Sequence, residues 1–217
     1  MHHLLDALLD LLFPPRCCGC RARGALLCPS CLRACRPVSA AINQVLHQRV
    51  NSPFLASTAG AYHFEGVVRE ALHALKYARR ARLAGPLGSL LIAYARQQPV
   101  IVDAIVPVPL HPERERQRGF NQAALLAAPL ARALGVPLLT DGLARTRNTA
   151  RQADLGREQR RANVRAAFAW CAAAAPPARL LLIDDVITTG VTVAAVAQAL
   201  CEAGAREVHA LALARRV

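Results

Sequence analysis

One stretch constrains this chain more than any other. It is an aliphatic run, Leu180 to Ile183, that ends in two adjacent acids, Asp184 and Asp185, and continues as Val-Ile-Thr-Thr-Gly-Val-Thr to residue 192. Consecutive aliphatics bounded by a turn read as a buried strand. The residues that follow, TVAAVAQALCEAGA, carry a helical pattern, so the order is strand, turn, helix. The same alternation recurs along the chain. VDAIVPVPL reads as a strand and GFNQAALLAAPLARALG as a helix, with Asn121 as N-cap and Gly135 as stop; VPLL is a short strand and EVHALALARR the last one. Helical periods also run through EGVVREALHALKYARR and GPLGSLLIAYARQQ, while FLASTAGAYHF reads as a pair of strands. Strands alternating with helices imply an α/β fold: a parallel sheet with right-handed crossovers, flanked by helices.

The 217 residues suffice for one such domain plus a small appendage, divided at the NSP of residues 51–53 into an extension, 1–50, and a sheet domain, 51–217. An apolar fraction of 54% argues for a packed core and against disorder. No apolar run reaches the length of a membrane span, and the leucine-rich N-terminus lacks a basic segment and a small-residue cleavage site. It reads as a short amphipathic helix, and the expected compartment is the cytoplasm.

Cys17, Cys20, Cys28 and Cys31 form two Cys-x-x-Cys pairs. A tetrahedral zinc ion needs four thiolates, and two tight turns, eased by Gly19 and Pro29, can each deliver two. Disulfides are disfavoured without an export signal. Cys18 and Cys35 are spare thiols, and Cys171 and Cys201 read as core. The expected extension is therefore small, zinc-ribbon-like and held together by its metal.

The acid pair poses a chemical question, because the turn after it looks built for an anion. Backbone N–H groups at a helix start are unpaired and sit at the positive end of the helix dipole. Thr188, Thr189, Gly190, Val191 and Thr192 therefore form a cup for a monophosphate. Asp184 and Asp185 stand further back, at the strand end, where carboxylates suit two vicinal hydroxyl donors. Phosphate in the cup and hydroxyls on the acids describe a ribose 5-phosphate.

LLLIDDVITTGVT resembles the phosphoribosyl pyrophosphate (PRPP) signature of type I phosphoribosyltransferases. The paired Cys-x-x-Cys, YHFEGVVREALHALKY, VPVPLHPERERQRGFNQA, LARTRNTARQADLGREQRRANVRAAF and AREVHALALAR resemble the ComF-like competence proteins, so the likeness covers nearly the whole chain. It implies a type I phosphoribosyltransferase-like sheet with a zinc-bearing extension, PRPP with magnesium as ligand, and a link to natural transformation or the use of imported DNA. It also implies that Asp184 and Asp185 hold the ribose, that residues 188–192 hold the 5-phosphate, that the turn from Leu110 to Arg114 takes pyrophosphate, and that Arg145 to Arg165 form a mobile lid. Enzymes of this type with a known base carry a hood for it. Here the zinc extension takes that position and has no evident base-reading residues.

The net charge of +13 points to an anionic partner. Arg114, Arg116 and Arg118 follow a strand on the expected ligand side, and Arg145 and Arg147 open a second basic stretch, so both sets are candidates for pyrophosphate or nucleic acid. Three functions follow: a phosphoribosyltransferase with an unspecified acceptor, a non-catalytic PRPP sensor, and an accessory protein that binds single-stranded DNA and works with the competence machinery.

Overall fold

The computed structural model describes residues 14–77, 80–146 and 167–216; the leucine-rich N-terminus and most of the expected lid, Arg147 included, lie outside the described residues. At the centre is a four-stranded sheet in the order β1 (Ser57–His63), β6 (Glu207–Arg215), β5 (Arg179–Ile187), β2 (Ala104–Pro107), with every neighbouring pair parallel. The stretch FLASTAGAYHF contributes one strand, β1, and not a pair. Its partner β6 comes from the far end of the chain, which no local pattern reveals. The expected strand VPLL reduces to a single parallel bridge from Leu138 to Ile105. A short antiparallel ribbon, β3 (Leu143–Arg145) with β4 (Phe168–Trp170), lies apart from the main sheet.

The aliphatic run on β5 explains itself through the period of two along a strand. Leu181 and Ile183 enter one apolar layer, with Leu72 and Leu75 of α3 (Gly66–Tyr77), Leu87 and Leu91 of α4 (Ala84–Gln97) and Leu126 of α6 (Gln122–Leu134). Leu180 and Leu182 enter the other, with Val193, Val196 and Leu200 of α7 (Val191–Glu202). Both faces of the sheet are covered, so nothing polar is tolerated between Leu180 and Ile183. The caps of α6 lie where the sequence puts them: Asn121 Oδ1 accepts the Ala123 N–H at 2.9 Å, and Gly135, at φ 68°, ends the helix.

The cysteine-rich extension is part of this core. Cys17, Leu27, Cys31 and Cys35 belong to the same apolar cluster as Leu72, Leu87 and Leu213. After the short α1 (Pro29–Arg33), the chain runs along the open edge of β1: the Val38 N–H reaches Ala61 O at 2.9 Å, and the His63 N–H reaches Arg36 O at 3.0 Å. Asn43 of α2 (Ala40–Val50) then accepts from the Gly60 N–H at 2.9 Å and donates to the Gly60 carbonyl at 3.2 Å. An edge strand with unpaired amides invites pairing with other chains, and residues 36–43 close this one.

Candidate functional site at the carboxyl ends of the strands

Asp184 and Asp185 occupy β5 where it leaves the two apolar layers. The period of two that sorts the leucines sends adjacent acids to opposite sides of the strand. Asp185 faces α3, where Lys76 forms an ion pair with it through Asp185 Oδ2; the two side chains are 20% and 14% exposed. Asp184 is under the field of Arg145 on β3, and its Oδ1 accepts the Asp185 N–H at 2.8 Å. Removal from water, and then the charge of Asp185, push the Asp184 carboxyl up to about 7. Asp184 therefore keeps its proton to a higher pH than an isolated carboxyl does, as expected where two carboxyl groups are forced together.

In the sequence Lys76 stands out as the one lysine, in a helical segment that shares the family resemblance, which makes it a candidate phosphate contact and gives no sign of an acid partner. Its role depends on α3 ending beside β5, a contact between residues more than a hundred positions apart. Arg145 lies over the Phe168 ring, with its guanidinium carbon 5.5 Å from the centroid; burial, and then the charge of Arg114, hold its pKa below the ordinary arginine range. Arg114, on α5 (Pro112–Arg118), therefore lies close enough for its charge to be felt at Arg145. Arg118 turns elsewhere, bonding Gln122 Oε1 and lying 5.8 Å from the centroid of Tyr77. Tyr77 is 74% exposed and is the only aromatic among the large exposed apolar side chains of the described residues. Arg116 is exposed on α5, and His111 caps that helix by accepting the Glu113 N–H at 3.3 Å.

The turn after the acids has Thr188 and Thr189 exposed and Gly190 as the N-cap of α7, at φ 75°. Gly190 supplies no side-chain cap to the helix, so the first-turn amides stay open to a ligand. A Cβ at Gly190 would come within 2.3 Å of Val50 Cγ2. The room left by this glycine is filled by α2, and the close approach it permits is to protein.

The four cysteine sulfurs of Cys17, Cys20, Cys28 and Cys31 lie within 4.8 Å of one another, and all eight cysteines are free thiols. Cys20 Sγ and Cys28 Sγ are 3.6 Å apart, close to the edge of a tetrahedron with zinc–sulfur bonds of about 2.3 Å. The donor set itself calls for a cation. Hydrogen bonds from Ser30 and from the Cys31 N–H bring Cys28 down to about 6, while burial and the neighbouring thiol groups drive Cys31 up to about 12. A divalent ion relieves that crowding. Gly19 is needed here because a Cβ would sit 2.8 Å from Cys31 Sγ. Cys35 donates to the Cys31 carbonyl, and Cys18 stands outside the tetrad.

No family model matches the chain. Curated relatives do. The DNA utilization protein YhgH of Escherichia coli K12 is 38% identical over 149 residues, 66% of this chain and 65% of that protein, so the match spans just under two thirds of the relative's length. Competence protein F of Haemophilus influenzae is 39% identical over 115 residues, 52% of this chain and 50% of that one. Competence protein ComFC of Bacillus subtilis is 29% identical over 200 residues, 87% of this chain and 78% of that one. Among solved structures, the glutamine PRPP amidotransferase of B. subtilis overlaps 60% of this chain and 25% of its own, at 27% identity and a TM-score of 0.40.

Proposed function

We propose that this chain, similar to DNA utilization and competence proteins and carrying a four-cysteine cluster, is a ComF-like relative of the type I phosphoribosyltransferases that binds PRPP with magnesium in the use of imported DNA. The observation that carries this reading is the exit of β5. Two acids, then open amides at a helix start, stand at the carboxyl edge of a parallel sheet, where such sheets take ligands. Thr188 to Thr192 bind the 5-phosphate through backbone amides and threonine hydroxyls. Asp184 and Asp185 accept from the ribose hydroxyls, so Lys76 must give up Asp185 when the sugar enters, and its ammonium is then available to the anionic ligand. Arg114 and Arg145 provide positive charge for the pyrophosphate, and magnesium, when bound, would neutralise part of the pyrophosphate's negative charge. Whether a transfer follows depends on an acceptor; a protein that only senses PRPP would use the same contacts.

A second reading is supported by Arg114, Arg116 and the exposed Tyr77, which together offer charge and one stacking surface to single-stranded DNA. Competence-machinery proteins are further partners on this reading, and the compartment is the cytoplasm. In the described residues no helix is long and apolar enough to cross a membrane.

Calorimetry with PRPP and magnesium tests the first reading. The Asp184→Asn, Asp185→Asn double variant should bind at least ~10-fold more weakly, about 1.4 kcal/mol. Equal binding by a folded double variant would overturn the assignment of the sugar site.

A further inference from the structure

A cavity of about 350 Å³ lies at the opposite, amino-terminal end of the sheet. Its floor is the start of three strands: Ser57, Leu181 and His209 are in register across β1, β6 and β5. Its walls are α2 on one side and the end of α4 on the other. On β5, Leu181 is four residues before Asp185, about 13 Å along a strand, so this space is separate from the acid pair.

The chemistry of its wall is unlike the rest of the molecule. The chain has 27 Lys and Arg and 14 Asp and Glu, yet none of those among the described residues lines this cavity. A charged ligand would be desolvated there without a counter-charge. The polar groups that do line it fall into two sets. Asn43 is spent on the backbone of Gly60 and on Tyr94 Oη at 2.9 Å, and His209 is fixed by Ser57 Oγ, 2.8 Å from Nδ1, and by Glu207 Oε1, 3.1 Å from Nε2. These hold the wall rigid. Gln44 and Gln98 have no side-chain partner among the described residues, and His47 touches Thr58 Oγ1 only at 3.5 Å. Two carboxamides and an imidazole beside the apolar side chains of Ala59, Leu181 and Leu211 offer both donors and acceptors to the edge of a flat ring.

We propose that this cavity is a second small-molecule site, for an uncharged, flat heteroaromatic ligand that carries hydrogen-bonding groups on its edge. The size fits one or two fused rings, and His47 and the held His209 ring give it imidazole surfaces to pack against.

Adenine, uracil and nicotinamide serve as probes, with adenosine monophosphate as the charged counterpart, titrated into the full chain and followed by nuclear magnetic resonance and calorimetry. At least one neutral probe should bind saturably and perturb the backbone signals of Ala59 and Leu211. Gln98→Ala, at the exposed C-cap of α4, and His47→Ala, at a half-buried position on α2, should each weaken it by about tenfold. The Asp184→Asn, Asp185→Asn variant should bind the probe as the parent does, which separates this site from the PRPP reading. The proposal is overturned if none of the neutral probes binds, if the monophosphate binds better than adenine, if both cavity variants bind like the parent, or if the acid-pair variant loses the probe.

Discussion

Lys76 and Asp185 are ion-paired at the mouth of the sheet, with neither side chain more than a fifth exposed. The pair joins the end of α3 to the end of β5 and sits on the acid that we propose for a sugar hydroxyl. Without a ligand, a doubly negative strand end beside an apolar layer would be costly. The lysine offsets one charge, and the high pKa of Asp184 removes part of the other.

Removing the lysine should therefore cost stability and tighten the proton on Asp184. Lys76→Met is expected to lower the unfolding free energy by roughly 2 kcal/mol, because Asp185 is left partly buried without a partner. Adding Asp185→Asn to Lys76→Met should restore most of it. Urea denaturation of the parent, both single variants and the double variant gives the coupling; a coupling near zero would mean the pair is a surface contact only.

Stability should depend on pH through Asp184. Its folded pKa, about 7, lies above the ordinary carboxylate value of about 4, so the folded state binds the proton more tightly than the unfolded one. That contribution is complete at low pH and is lost as pH rises from about 4 through about 7. Asp184→Asn should flatten this part of the curve and exceed the parent in stability above pH ~7. Denaturation at a series of pH values checks the sign: a parent curve that rises through the window relative to the variant contradicts it.

Zinc should support more than the extension. The two Cys-x-x-Cys pairs predict one ion per chain, and the shared cluster of Cys17, Cys31 and Leu72 ties its site to the sheet. Chelation, or Cys28→Ser, should lower the melting temperature of a single cooperative transition and not release a separate small one. Metal analysis of protein purified without added zinc should give about one equivalent. Calorimetric scans with an early, isolated transition would show that the extension has independent stability.

Binding of single-stranded DNA, if the charge serves it, should fall steeply with salt, by a log–log slope of about 0.7 per phosphate contact. The Arg114, Arg116 and Arg118 alanine triple variant should lower that slope by about 1.4, the share of two contacts, and not by the ~2.1 of three, because Arg118 is engaged by Gln122 and Tyr77. Tyr77→Ala should weaken binding with the slope unchanged, as loss of stacking does. Titrations across a salt series distinguish the two; an unchanged slope in the triple variant would leave the charge as ordinary surface.

The sequence by itself determined the local grammar. Leu180 to Ile183 had to be a strand covered on both faces, Asn121 and Gly135 had to bracket a helix, and four paired cysteines had to converge, because period, capping and ligand spacing are short-range physics. The tertiary structure decided everything that needed distant residues to meet. It paired β1 with β6, a strand from the far end of the chain, so the run from Phe54 to Phe64 could not be recognised as one edge strand until its partner was known. It gave the cysteine extension the core of the sheet domain instead of one of its own. It put Val50 into the space at Gly190, and it sent Asp184 and Asp185 to opposite sides of β5, one under Arg145 and the other onto Lys76. A motif states which groups are present at a site; their charges and partners are set by whatever the packed layers bring against them, and that information is carried by long-range contacts that no window of sequence contains.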